Sequence, residues 1–135
     1  MPATPLPESA VEFLKGPHPA VVAVLRDDGT PVSVATWYLW DEGRILLNMQ
    51  EDRTRLAYLR NDPRLSLTVL DSDSWYTHLS LQGRIVEFAD DPDLADIDRL
   101  AVHYRGEPYP VRDRGRVSAW MEIERWHGWG AQKAK

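Results

Sequence analysis

Apolar and polar positions alternate over short stretches of this chain far more often than apolar positions recur at helical spacing, which predicts a mainly β protein. Ala20 to Leu25 is a β-branched apolar run, and Asp28-Gly29 separates it from Val32 to Trp40, so the two read as a hairpin. Glu42-Gly43 then turns the chain into a return strand over Ile45 to Met49. Leu65 to Leu70 alternates, as does the longer run Thr77 to Phe88, in which Gly83 is expected to mark a bulge or bend. Val117 to Ile123 supplies a sixth strand, followed by an aromatic tail from Trp126 to Gly130. Six short strands joined mostly by hairpins are too many for one open sheet of this length and favour a closed barrel, which also removes exposed edges.

Helical signals are few. The Pro-rich residues 1–8 read as a flexible arm, and a short helix follows from Ser9 to Lys15, where Ser9 and Glu12 have capping-box spacing and Gly16-Pro17 forms the stop. Asp91-Pro92 opens a clearer helix, with Asp91 as N-cap, Leu94, Ile97, Ala101 and Tyr104 on one face, and Gly106 at the end. Tyr104 is expected to be a core residue.

At 135 residues the chain fits one domain, residues 1–135, with no repeat or linker. Cysteine is absent, which excludes disulfides, thiolate metal sites and a cysteine nucleophile. A formal net charge of -5 argues against bulk nucleic-acid binding but leaves room for a local basic site holding one phosphorylated ligand. The start lacks a leader pattern, and no run of about 18 apolar residues occurs, so a cytoplasmic protein without integral membrane association is expected. No glycine-rich dinucleotide fingerprint or Walker loop is present. His18, His78, His103 and His127 lack the paired spacing of metal ligands, and no Ser-His-Asp motif occurs, so neither a metal site nor a catalytic triad is expected.

The chemistry concentrates between Asn48 and Arg64, where the chain passes from strand to short helix to strand. With Asp52 as N-cap, Arg53, Thr54 and Arg55 fall in the first helical turn, where free N–H groups and the helix dipole already favour an anion. Two Arg flanking a hydroxyl there make sense if a phosphate occupies the turn. The same pattern also describes a solvated turn in which the arginines pair with Glu51 and Asp52, and on pattern alone both readings are open. Six Trp and five Tyr exceed what a minimal core needs. Trp37, Trp75, Tyr76, Trp126 and Trp129 are candidates to line a cleft for a planar substrate, with ordinary packing the alternative for each. His78 is a weak candidate proton donor, against a structural role.

The order Arg53-Thr54-Arg55, short helix, Arg60-Asn61-Asp62-Pro63-Arg64, apolar strand, then Leu81-Gln82-Gly83-Arg84, resembles the pyridoxamine 5'-phosphate oxidase-like split-barrel superfamily. The late segments His103-Tyr104-Arg105-Gly106 and Ile123-Glu124-Arg125-Trp126 make the chain most similar to the short F420-dependent branch of that superfamily, from Phe13 to Gly130. The resemblance implies a six-stranded split β-barrel with a few short helices, working as a homodimer with two cofactors in grooves between subunits. It places the cofactor phosphate on Arg53, Thr54 and Arg55, and the flat ring against the strands containing Ala35, Thr36, Trp37, Asn48, Met49 and Gln50. Met49 stands where many relatives have Thr. The implied activity is hydride transfer by the deazaflavin coenzyme F420 to an unsaturated or quinone-like small molecule, with no catalytic side chain required. The alternatives are an FMN-dependent oxidase or reductase on the same barrel, and a non-catalytic flavin or small-ligand binding protein.

Overall fold

The computed structural model describes residues 5–133. In chain order its elements are α1 (Glu8–Leu14), β1 (Ala20–Leu25), β2 (Pro31–Thr36), β3 (Leu39–Asp41), β4 (Arg44–Gln50), α2 (Thr54–Asn61), β5 (Arg64–Leu70), β6 (His78–Asp90), α3 (Ala95–Arg105) and β7 (Arg116–Trp129), with a single 3-10 turn at Gly130–Gln132. The seven strands form one antiparallel sheet in the order β2-β1-β5-β6-β7-β4-β3. The outermost strands of that order, β2 and β3, are consecutive in sequence. Only Trp37 and Tyr38 link them, and two residues bridge about 11 Å at most. The sheet must therefore curl until its two edges meet, which makes it a barrel split between β2 and β3.

That split is why seven strands occur where six are expected: the run from Val32 to Trp40 is two strands on opposite edges. Tyr38 pins the crossing point. Its side chain is fully buried, and its hydroxyl donates to the carbonyls of Leu14, the last residue of α1, at 2.9 Å and of Gly16 just beyond it at 3.1 Å. Burial pushes its phenol above the usual tyrosine range. Closure of the ladder is incomplete, so β2 pairs with β1 alone and stays exposed along most of its length. At the other end of the chain, the predicted sixth strand and the aromatic tail are one continuous 14-residue strand.

Period-2 alternation fills the barrel. Val22 and Val24 of β1, Leu67 and Val69 of β5, Leu79 and Leu81 of β6, Ile45, Leu47 and Met49 of β4, and Ala119 and Met121 of β7 join a single core cluster. Gly83 sits at a register shift in the β6–β7 pairing, as expected of a bulge, and a Cβ there would lie 1.9 Å from the Glu122 carbonyl oxygen. Among the described residues no helix is long and apolar enough to cross a membrane.

Three expected helix starts differ. Ser9 and Glu12 form no capping box; α1 begins at Glu8, and Glu12 instead pairs with Lys15 at 3.0 Å. Of the arm expected over residues 1–8, residues 1–4 lie outside the described part, Leu6 packs on the core and Glu8 is already helical. Asp52 is not the cap of α2: Arg53 holds that position, and the Asp52 carboxylate accepts from Gln50 Nε2 at 2.7 Å. The third helix starts later than Asp91-Pro92 implies, at Ala95, after Leu94 in a left-handed conformation with φ of 60°. Asp91 still caps it from upstream. Its carboxylate accepts from the amides of Asp96 at 3.1 Å and Ile97 at 3.0 Å, two of the donors a helix start leaves free.

Candidate functional site

A cavity of about 560 Å³ opens at the split of the barrel. Its floor comes from the start of β1, the end of β2 and the middle of β4, through Ala20, Ala35, Thr36 and Asn48. One wall carries two cations, Arg55 from the first turn of α2 and Arg116 from the start of β7. The roof is α3, which presents Ile97, Leu100 and Tyr104 at i, i+3 and i+7 on a single face, and the following loop adds Tyr109. Trp37, on the β2–β3 crossing, stacks on Tyr104 with centroids 5.3 Å apart and planes 9° apart, and meets the edge of Tyr109 at 6.2 Å. The space therefore has an aromatic and aliphatic end and a cationic end.

The cationic end is built against Coulomb's law. Burial lowers the pKa of Arg55, and the neighbouring charges of Arg53 and Arg116 lower it further. Burial is also the main cause of a lowered pKa at Arg116. None of these three arginines is in a salt bridge among the described residues. The solvated turn paired with Glu51 and Asp52 is thus not formed. The amides of Thr54 and Arg55, at the open start of α2, likewise find no acceptor among the described residues. Guanidinium groups without a carboxylate partner, gathered beside free helix amides, fit a phosphate, because an anion relieves their mutual repulsion and supplies the missing acceptors.

Arg116 is held in place. Its Nε donates to Asn48 Oδ1 at 2.6 Å, and its guanidinium carbon lies 4.9 Å from the Tyr109 ring centroid. Asn48 is itself fixed, its Nδ2 donating to Asp91 Oδ2 at 3.1 Å and to Ser118 Oγ at 3.0 Å. Ser118 in turn donates to Asp96 Oδ2 at 2.6 Å. This places a buried polar chain between the sheet and the roof.

Of the residues expected at the site, the cavity gathers Ala35, Thr36, Trp37, Asn48 and Arg55. Thr54 lines an adjoining hollow of about 380 Å³ that shares Arg55 as its wall, and Arg53 stands at the exposed entrance to α2, within Coulombic reach of Arg55 and Arg116. Met49 and Gln50 are not lining residues. Alternation along β4 puts Asn48 and Met49 on opposite faces, so the Met49 side chain is 2 % exposed inside the barrel, while Gln50 turns to Asp52. Among the aromatic candidates only Trp37 lines the cavity. Trp126 belongs to the core, Trp75 and Tyr76 are exposed, and Trp129 lies under Lys133. Tyr104 packs against the core cluster, as expected, and is also half of the aromatic stack that lines the cavity, and burial pushes its phenol up to about 12. His78 turns its Nδ1 to the carbonyl oxygens of Trp75 and Tyr76 and does not line the cavity.

Arg116 and Tyr109 are absent from the sequence reading. The β4–β7 register pairs Asn48 with Ser118 and Gln50 with Arg116, so Arg116 is the diagonal neighbour of Asn48 on the face beneath α3. The alternation Val117, Ala119, Met121 does put Arg116 and Ser118 on the outer face, but which strand they meet there is a long-range pairing.

The family model for pyridoxamine 5'-phosphate oxidase matches residues 6–130, nearly the whole length. The chain belongs to the pyridoxamine 5'-phosphate oxidase family. No curated protein matches it in sequence. Among solved structures, this family member is similar to an F420 reductase at 25 % identity, with a TM-score of 0.81 over 90 % of this chain and 98 % of that one. A conserved hypothetical protein from Mycobacterium tuberculosis superposes with a TM-score of 0.72 at 24 % identity, covering 94 % of this chain and 86 % of the other. General Stress Protein 26 from Bacillus anthracis shares the fold at 12 % identity and a TM-score of 0.64, over 90 % and 92 % of the two chains. The split-barrel fold expected from the resemblance is therefore present, with seven strands in place of six.

Proposed function

We propose that the protein is an oxidoreductase that uses the deazaflavin coenzyme F420 to reduce an unsaturated or quinone-like small molecule. The observation that carries this reading is the cavity itself: Arg55 and Arg116, neither in a salt bridge among the described residues, stand at one end of a space whose other end is Trp37, Tyr104 and Tyr109, and Arg53 lies within Coulombic reach of both at the entrance to α2. The similarity to an F420 reductase over 98 % of that protein's length supports deazaflavin over FMN.

In this reading Arg53, Thr54 and Arg55 hold the cofactor phosphate, with Arg116 as a further donor, and Ala35, Thr36 and Trp37 face the flat ring. The bound deazaflavin supplies the hydride chemistry. The side chains contribute position and exclusion of water: Ile97, Leu100 and Tyr104 close the roof, and Asn48 keeps Arg116 aimed along the wall. The Thr36 hydroxyl donates to the Trp37 carbonyl at 3.0 Å and the Tyr104 hydroxyl to the His18 carbonyl at 2.6 Å, with no side-chain base hydrogen-bonded to either among the described residues, so hydride transfer here needs no covalent intermediate.

A homodimer belongs to the same proposal. Edge strand β2 leaves Val32 and Val34 about 40 % exposed beside the hollow lined by Thr54 and Arg55, an apolar surface that a second copy would cover. Light scattering at micromolar concentration tests it, and a monomer that binds cofactor at full strength contradicts a groove shared between chains.

The absorption spectrum of the purified protein, before and after addition of F420 or FMN, tests the cofactor. Saturable binding of F420 followed by oxidation of its reduced form by a quinone supports the proposal. FMN co-purifying stoichiometrically makes the protein an FMN enzyme of the same fold, and binding without turnover of any acceptor makes it a carrier.

A further inference from the structure

Asp91 sits where three parts of the molecule meet. Its backbone N–H donates to the Arg116 carbonyl at 2.9 Å, at the point where β6 leaves β7. Its carboxylate, in a residue only 4 % exposed, accepts from Asn48 Nδ2 and from the Asp96 and Ile97 amides that open α3. Asn48 passes the constraint on, since its Oδ1 receives the Arg116 Nε–H at 2.6 Å. A carboxylate is the side chain suited to this position, because every group facing it is a donor. Its charge also lies close enough to Arg116 to favour the cation, without touching it.

We infer that Asp91 is a positioning residue that aims Arg116 at the ligand's phosphate through Asn48 and ties that cation to the roof helix α3. This rests on the phosphate reading of the Arg53, Arg55 and Arg116 cluster. One residue thereby fixes the backbone and, through Asn48, the side chain of the cation, together with the first turn of the helix that presents Ile97, Leu100 and Tyr104 to the cavity. An anion drawn onto Arg116 stiffens the Arg116–Asn48–Asp91 chain, and through it the amides of Asp96 and Ile97. The roof then responds to the phosphate rather than to the ring.

The test compares F420 with its phosphate-free deazaflavin chromophore, in wild type and in Asp91→Asn and Asn48→Ala. Both variants should lose about tenfold in their preference for F420 over the phosphate-free compound, the effect of one charge-assisted hydrogen bond, on top of any smaller loss shared by both ligands because Asn48 lines the cavity floor and Asp91 caps the roof helix. Hydrogen exchange adds a readout that a merely structural role would not move: F420 should slow exchange at the Asp96 and Ile97 amides of the wild type, and the phosphate-free compound should not. If Asp91→Asn fails to fold, Asn48→Ala carries the test, because it cuts the link to Arg116 and leaves the α3 cap in place. Equal losses for both ligands, or undiminished preference for F420 in both variants, overturn the positioning role. Arg116→Ala separates the two levels. Unchanged preference for F420 in that variant means the phosphate lies elsewhere and the underlying reading fails, whereas a loss in Arg116→Ala without one in Asn48→Ala removes Asp91 alone.

Discussion

Trp37 and Tyr104 stack with their rings almost parallel, 5.3 Å between centroids, although 67 positions separate them in the chain and one stands on a strand crossing, the other on the roof helix. The Tyr104 hydroxyl donates to the His18 carbonyl at 2.6 Å, which anchors α3 across the mouth of the cavity to the segment before β1. Tyr104→Phe removes that anchor and keeps the ring. The expected result is a roof that opens more readily, with affinity for a flat ligand reduced by about 1 kcal/mol, the scale of one net hydrogen bond. Titration calorimetry with riboflavin, which carries no phosphate, checks this without involving the cationic end.

Arg53→Ala and Arg55→Ala should each weaken binding of a phosphate-bearing cofactor by about 1 to 3 kcal/mol. Without ligand, thermal stability should not fall in Arg55→Ala, since the variant relieves repulsion with Arg53 and Arg116 and breaks no ion pair. A melting temperature several degrees lower in the ligand-free variant would mean that Arg55 is there to hold the fold.

How far the sequence carries is clear from Arg55 and Arg116. The place of Arg55 in a helix first turn was legible because its neighbours in sequence already say what the local backbone favours. The place of Arg116 beside it was not, since it comes from pairing β7 with β4, residues about 70 positions apart, and from a helix laid over both. Most strands were visible because period-2 alternation is local, and the break at Trp37-Tyr38 was hidden because apolar character runs straight through it. Met49 shows a different limit: the resemblance gives the strand segment that contains it, while alternation along that strand turns its side chain into the core.

Gly83→Ala should destabilise the fold by about 1 to 3 kcal/mol, the usual cost of forcing an extra carbon into a packed position. The obstacle is backbone, the Glu122 carbonyl oxygen at 1.9 Å from an ideal Cβ, so no side-chain rotation relieves it. Urea denaturation measures the cost, and an unchanged midpoint would show that the β6–β7 bulge can absorb a methyl group.

Asp98 supplies a pH-dependent restraint on the roof. Its carboxylate takes both forks of Arg112, at 2.9 and 3.1 Å, and the Tyr109 amide at 3.0 Å, so it holds the loop that brings Tyr109 to the cavity. The Arg112 hydrogen bonds hold its pKa below the ordinary 3.8, with a further lowering from the Tyr109 amide. Because the folded value lies below the unfolded one, the restraint is complete above pH 3.8 and is lost as pH falls through the depressed value. Asp98 is solvent-facing, so the effect should be local release of the loop rather than global unfolding. In an NMR titration the Tyr109 amide shift should follow an apparent pKa under 3.8, the transition should vanish in Asp98→Asn, and Arg112→Met should move it upward. A Tyr109 titration at or above 3.8 in the wild type would show that the Asp98–Arg112 pair does not hold the loop in solution.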